Sequence, residues 1–159
     1  MSLAARRTAL ARARLLALLI PAALLGGAYI SQYVFGLFPC EMCWWQRYPH
    51  FAALVLALGA FAIKEHRWPV VLAALAILAS GLIGAFHAGI EYGWWEGLTR
   101  CTTPVVQGGG DPLGAIMAAP LIRCDEPQWT LFGISLAGFN FLFSTLGALV
   151  VLGLLRRAK

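Results

Sequence analysis

The sequence predicts an all-α integral membrane protein, a four-helix bundle whose third and fourth spans are joined by a long outer loop. Three observations carry this. Apolar residues make up 60% of the chain and charged residues 12%, about half the share with which a soluble domain faces water. Four apolar runs reach or approach the roughly 20 residues that cross a bilayer core as a helix. The basic residues stand at the ends of those runs, and no basic stripe interleaved with aromatics is present. The formal charge of +5 is therefore a topology signal that points to a lipid bilayer and not to nucleic acid. One membrane domain over 1–159 is expected.

The spans are expected at roughly 15–38, 44–63, 68–90 and 129–155. The first, third and fourth contain no Asp, Glu, Lys or Arg. The second is the ambiguous one, because its uncharged stretch, 48–63, is short for a crossing. Extending it back to Trp44 draws Arg47 into the outer headgroup zone, where a charge either snorkels to water or has a task. Residues 1–14 followed by 15–25, with Gly26-Gly27-Ala28 as a cleavage point, also fit a secretory signal peptide. The apolar run continues to Phe38, which favours a retained span.

Arg6, Arg7, Arg12 and Arg14, then Lys64 and Arg67, then Arg156, Arg157 and Lys159 fall on one side of a four-span chain, which makes that side cytoplasmic. Six of the seven acidic residues, all but Glu65, fall on the other side, together with Trp44, Trp45, Trp94, Trp95 and Trp129. Both termini are expected inside. The outer segment 36–43 is tight. The outer segment 91–128 is long and carries Gly108-Gly109-Gly110 and four prolines. Within it Asp111-Pro112 reads as a helix start, with Leu113, Ile116 and Met117 at helical spacing; a short interfacial helix and a disordered linker both fit.

Four cysteines lie in these outer segments: Cys40 and Cys43 in the first, Cys101 and Cys124 in the second. An even number on an oxidising side suits disulfide chemistry. A disulfide across Cys40-Glu41-Met42-Cys43 closes too small a ring to be a useful staple and suits exchange. At the start of the second span, a thiolate gains from the unpaired N–H groups of the helix. Arg47, one turn after Cys43, is placed to hold a Cys43 thiolate if the helix is already formed, and Pro49 argues against helix there. Cys101 and Cys124 are spaced for either a plain staple or a second exchanging pair. Arg100 and Arg123 each precede a cysteine, while Asp125 and Glu126 follow Cys124, so local charge predicts the lower pKa for Cys101. A zinc site over all four cysteines has no ordinary spacing, and no metal is expected.

The run Pro39-Cys40-Glu41-Met42-Cys43-Trp44-Trp45-Gln46-Arg47 resembles the CxxC-x-x-x-Arg signature of the DsbB family of bacterial disulfide bond formation proteins. Cys124-Asp125-Glu126-Pro127-Gln128-Trp129, leading into the last span, is similar to that family's second-pair segment. The resemblance covers the whole chain. It implies an inner-membrane enzyme, with its cysteines periplasmic, that reoxidises a soluble periplasmic DsbA-like dithiol protein and passes two electrons to a membrane quinone, ubiquinone or menaquinone. It further implies that Cys101–Cys124 accepts electrons from the partner, through Cys101. Cys40–Cys43 then reoxidises that pair, and Cys43, assisted by Arg47, delivers the electrons to quinone. Gln32 and Glu91 match residues of some members, whereas Tyr92 stands where some carry His. His87 is expected either to assist proton release from reduced quinone or to be a buried histidine bonded to a neighbouring helix. Two other readings stay open at this stage: a membrane carrier for soft metal ions that uses the four cysteines, and a scaffold with two structural bridges.

Overall fold

A computed structural model describes residues 2–63, 66–98, 103–104 and 121–158. Four long helices dominate it: α1 (Leu3–Tyr33), α2 (Glu41–Ala62), α3 (Trp68–Glu91) and α4 (Leu136–Arg157). They close a four-membered bundle, α1 beside α2 and α4, and α3 likewise beside α2 and α4, with a smaller contact between α1 and α3. Two short antiparallel pairings accompany the helices. β1 (Thr103–Pro104) pairs with β2 (Leu121–Ile122), and β3 (Thr130–Leu131) pairs with β4 (Ile134–Ser135).

The bundle is lined with small residues and faced with large ones. Ala13, Ala17, Ala53, Ala57, Ala73, Ala74 and Ala148 are buried, while Leu19, Val55, Leu58, Leu82, Phe143 and Leu149 point outward. That inversion of a soluble protein suits lipid, where helices associate by close packing and large apolar side chains lose nothing outside. Gly84 shows the closeness: a methyl placed on it would lie 2.9 Å from the Ala137 carbonyl oxygen on α4. Among the described residues, three helices, α1, α3 and α4, are long and apolar enough to cross a membrane by length and composition.

The helices differ at their ends from the expected spans. Helix α1 starts at Leu3, so its four arginines sit in regular helix, and Ser2 caps it by accepting from the Ala5 N–H at 3.3 Å. At about 1.5 Å per residue it spans about 46 Å, more than a bilayer core of ~30 Å. Helix α2 begins at Glu41 and runs on through Pro49, so Pro49 interrupts one backbone bond without ending the helix. Neighbouring helices and side chains satisfy such a site. Residues 129–135 form no helix. They hold the β3–β4 hairpin, whose two turn residues, Phe132 and Gly133, have φ of 52° and 77°, the signs that a tight two-residue hairpin requires. The 111–117 segment lies outside the described residues.

Candidate active site

Cys40 ends the short connection from α1 and caps α2, its Sγ accepting from the Cys43 N–H at 3.3 Å. The Cys40 and Cys43 sulfurs are 3.1 Å apart, and both cysteines are free. The sulfur at the helix cap is that of Cys40 and not that of Cys43. The Cys43 thiol beside it, then the His87 ring and the Cys43 backbone N–H, outweigh burial and hold Cys40 down at about 4.

Arg47 is buried, but its guanidinium is turned to α1. It donates to Gln32 Oε1 at 2.7 Å and to the Ala28 carbonyl at 3.3 Å, and its cationic carbon lies 4.9 Å from the ring centroids of both Tyr29 and Trp44. Neither hydrogen bond goes to a sulfur, so the anticipated grip on Cys43 is replaced by a tie between α2 and α1. Gln32 serves that tie and is not among the residues that line the cavity described below.

From α3, His87 brings Nε2 to 3.6 Å from Cys40 Sγ and Nδ1 to 2.9 Å from Gln46 Nε2. Glu91, one turn on, lies 3.8 Å from His87 and accepts from the Ser135 hydroxyl. His87 is thus both bonded to a neighbouring helix and in contact with the site. Tyr92 belongs to the scaffold: its hydroxyl donates to the Gly133 carbonyl and accepts from the Ser135 N–H, strapping the hairpin to α3.

Cys124 is disulfide-bonded and buried in one cluster with Cys40, Met42 and Ile90. Its backbone is a further hydrogen-bond partner of His87. Cys101 and Arg100 lie outside the described residues. Arg123 is paired with Asp125 at 2.6 Å and Glu126 at 3.1 Å. Those contacts raise the Arg123 pKa and lower that of Asp125.

A cavity of about 520 Å³ opens beside the pair, lined by Cys40, Cys43, Arg47, His87 and Glu91 on one side and by apolar residues such as Leu24, Leu25, Phe139 and Phe143 on the other. Volume, apolar walls and a few convergent polar groups describe a small-molecule site. Cys40, Cys43 and His87 also offer three ligand atoms within 4.8 Å of one another, a set that suits a soft or borderline cation.

Sequence reasoning passed over the polar layer beneath the sulfurs. His50 lies 3.0 Å from Asn140 Oδ1, Asn140 donates to Gln46 Oε1 at 2.8 Å, and Ser80 donates to the Gln46 carbonyl at 2.8 Å. The signal was present: Gln46 with His50 and Asn140 with Ser144 are polar pairs at i, i+4 within apolar runs, and such residues face a bundle interior.

The chain matches the family model "Disulfide bond formation protein DsbB" over residues 10–154. It is 33% identical to the disulfide bond formation protein B of Verminephrobacter eiseniae, covering 90% of this chain and 84% of that protein. It is likewise 33% identical to the protein of that name from an Acidovorax species, covering 91% and 87%. An uncharacterized protein of Rickettsia prowazekii is 26% identical, covering 82% and 78%. No solved structure matches.

Proposed function

The chain belongs to the DsbB family of disulfide bond formation proteins, and from that premise we propose that it is a quinone-dependent oxidase of a soluble periplasmic DsbA-like dithiol protein. The observation that carries the reading is the double contact of Cys40. It is buried in one cluster with disulfide-bonded Cys124 and, with Cys43, it lines the apolar cavity.

The partner's dithiol enters at the Cys101–Cys124 disulfide, through Cys101, and leaves oxidised. The reduced loop pair then exchanges with Cys40–Cys43 through Cys40, the sulfur that packs with Cys124. Closing the Cys40–Cys43 bond from thiolate and thiol releases two electrons and one proton. A bound quinone, ubiquinone or menaquinone, supplies the two-electron sink. Cys43 faces that sink, and Arg47, with N–H donors beyond the two engaged by Gln32 and Ala28, offers a fixed positive charge to ring oxygens. Gln32 orients Arg47. Glu91 stands at the cavity's polar edge for proton transfer, with His87 beside it.

The basic ends of α1 and α4 and the 64–67 connection support an orientation with both termini cytoplasmic and the cysteines periplasmic in a bacterial inner membrane. The test is Cys43→Ser in purified membranes: quinone reduction by a reduced partner is abolished, and retained turnover rejects the reading. The Cys40, Cys43 and His87 triplet favours one second reading, a soft-metal carrier. Protein isolated with metal bound through Cys40 and Cys43 would select it.

A further inference from the structure

Two side-chain amides set the direction of the hydrogen bonds that run from the bundle interior to Cys40. Gln46 Nε2 lies 3.2 Å from the Met42 carbonyl oxygen, and Asn140 Nδ2 lies 3.1 Å from the Ser80 carbonyl oxygen. A backbone carbonyl only accepts, so each contact separately identifies which end of its amide is nitrogen. The two assignments agree with each other, because they bring Asn140 Nδ2 to Gln46 Oε1, donor to acceptor, at 2.8 Å.

The second hydrogen of Gln46 Nε2 then points at His87 Nδ1, 2.9 Å away. A nitrogen that receives an N–H must offer a lone pair, so the proton of a neutral His87 ring resides on Nε2. Nε2 is the atom 3.6 Å from Cys40 Sγ. We propose that this chain makes His87 a standing N–H donor to the Cys40 sulfur, with Gln46 and Asn140 as the positioning residues that hold its tautomer. The N–H stays on nitrogen throughout and meets whatever negative charge the sulfur carries, so the reduced pair is kept with Cys40 as the thiolate that closes onto Cys43.

The Cys124 backbone is a second partner of the His87 ring and packs beside Cys40; the other neighbours of Cys40 are already engaged. Among the described residues, Cys43 comes from α2, and His87 and Glu91 come from α3. The β3–β4 hairpin and α4 contribute Ser135, which is engaged with Glu91. Arg123 and Glu126 line the same cavity but pair with each other. Helix α1 faces the cavity with uncharged residues such as Leu24, Ala28 and Ser31. Arg47 is directed to Gln32.

The inference rests on the redox reading of the Cys40–Cys43 pair, yet its test uses neither partner nor electron acceptor, so the two fail separately. In the reduced, nitrogen-15-labelled full chain in detergent micelles, a through-hydrogen-bond coupling is expected between Gln46 Nε2 and His87 Nδ1, with Nδ1 unprotonated. A protonated Nδ1 overturns the proposal. Site-resolved alkylation of Cys40 against pH, read by mass spectrometry, is then compared with Gln46→Met. The profile is expected to move to higher pH, with alkylation at acid pH slowed about tenfold, the change for one pKa unit. An unmoved profile overturns the claim that the amide acts on the sulfur. Should Gln46→Met fail to fold, Asn140→Leu, which frees Gln46 Oε1, is read in the same way, and the wild-type coupling decides the tautomer without any variant.

Discussion

Arg47 on α2 donates to Gln32 on α1 at 2.7 Å, and this bond, with the one to the Ala28 carbonyl, holds the only arginine within α2. The pair sits in a membrane bundle, where a polar contact between helices contributes about 1 kcal/mol and a buried charge without its partner costs more.

Gln32→Leu is therefore expected to lower stability by about 1 kcal/mol and, on the proposed function, to raise KM for quinone with exchange between the cysteine pairs unchanged. Steady-state kinetics with varied quinone, beside stopped-flow exchange with a reduced partner, separates the two. An unchanged KM would show that the guanidinium keeps its place without Gln32.

Cys40 has its pKa lowered to about 4, chiefly by the Cys43 thiol, with the His87 ring and the Cys43 N–H helping. A depressed acid stabilises the folded, reduced form above its unfolded value of about 9, and that contribution fades as pH falls toward 4 and is lost below it. The contribution of Cys40 to the folding of the reduced chain should thus rise between pH 4 and pH 9. Denaturant unfolding of the reduced chain at several pH values checks the sign; greater stability at pH 4 than at pH 8 would refute it.

Ser135 both caps α4, accepting from the Gly138 N–H at 3.1 Å, and donates to Glu91. Ser135→Ala is expected to cost roughly 0.5–2 kcal/mol for the cap and to release the Glu91 carboxylate from the hairpin. A thermal midpoint equal to the wild type would contradict the first of these.

Gly84→Ala forces a methyl against the Ala137 carbonyl at 2.9 Å, whereas a methyl on Gly59 meets nothing within 4 Å. The first should destabilise by about 1–3 kcal/mol, because backbone cannot yield as a flexible side chain does. Gly59→Ala should be neutral or gain up to about 1 kcal/mol of helix propensity. Equal melting of the two variants would argue against so tight an α3–α4 contact.

If the cysteines face the periplasm, a membrane-impermeant maleimide applied to spheroplasts labels Glu96→Cys, an exposed position on the same side, without breaking the inner membrane. Labelling only after the membrane is opened would reverse the proposed orientation.

The helical membrane class, the cysteine positions and the family were legible in composition, charge placement and the CxxC-x-x-x-Arg run, because bilayer thickness constrains span length and the positive-inside rule constrains ends. Less legible was anything that depended on which side chains meet across helices. Arg47 was read against its neighbour in sequence, Cys43, and the structure gives its hydrogen bonds to a helix 15 residues earlier. Residues 129–135 read as span because a two-residue hairpin of Thr, Leu, Ile and Ser is as apolar as a helix end.

The amino-acid order alone determined the solvent this protein lives in and where its sulfurs lie along the chain, since hydrophobicity and charge act locally. Only the tertiary structure decided that Cys40 is the capping sulfur, that His87 approaches it across 47 residues, and that Gln46, Asn140 and Ser80 join three helices in one polar layer. Hydrogen bonds are directional and short, so their partners are chosen by the packing of the helices and not by the spacing of residues along them.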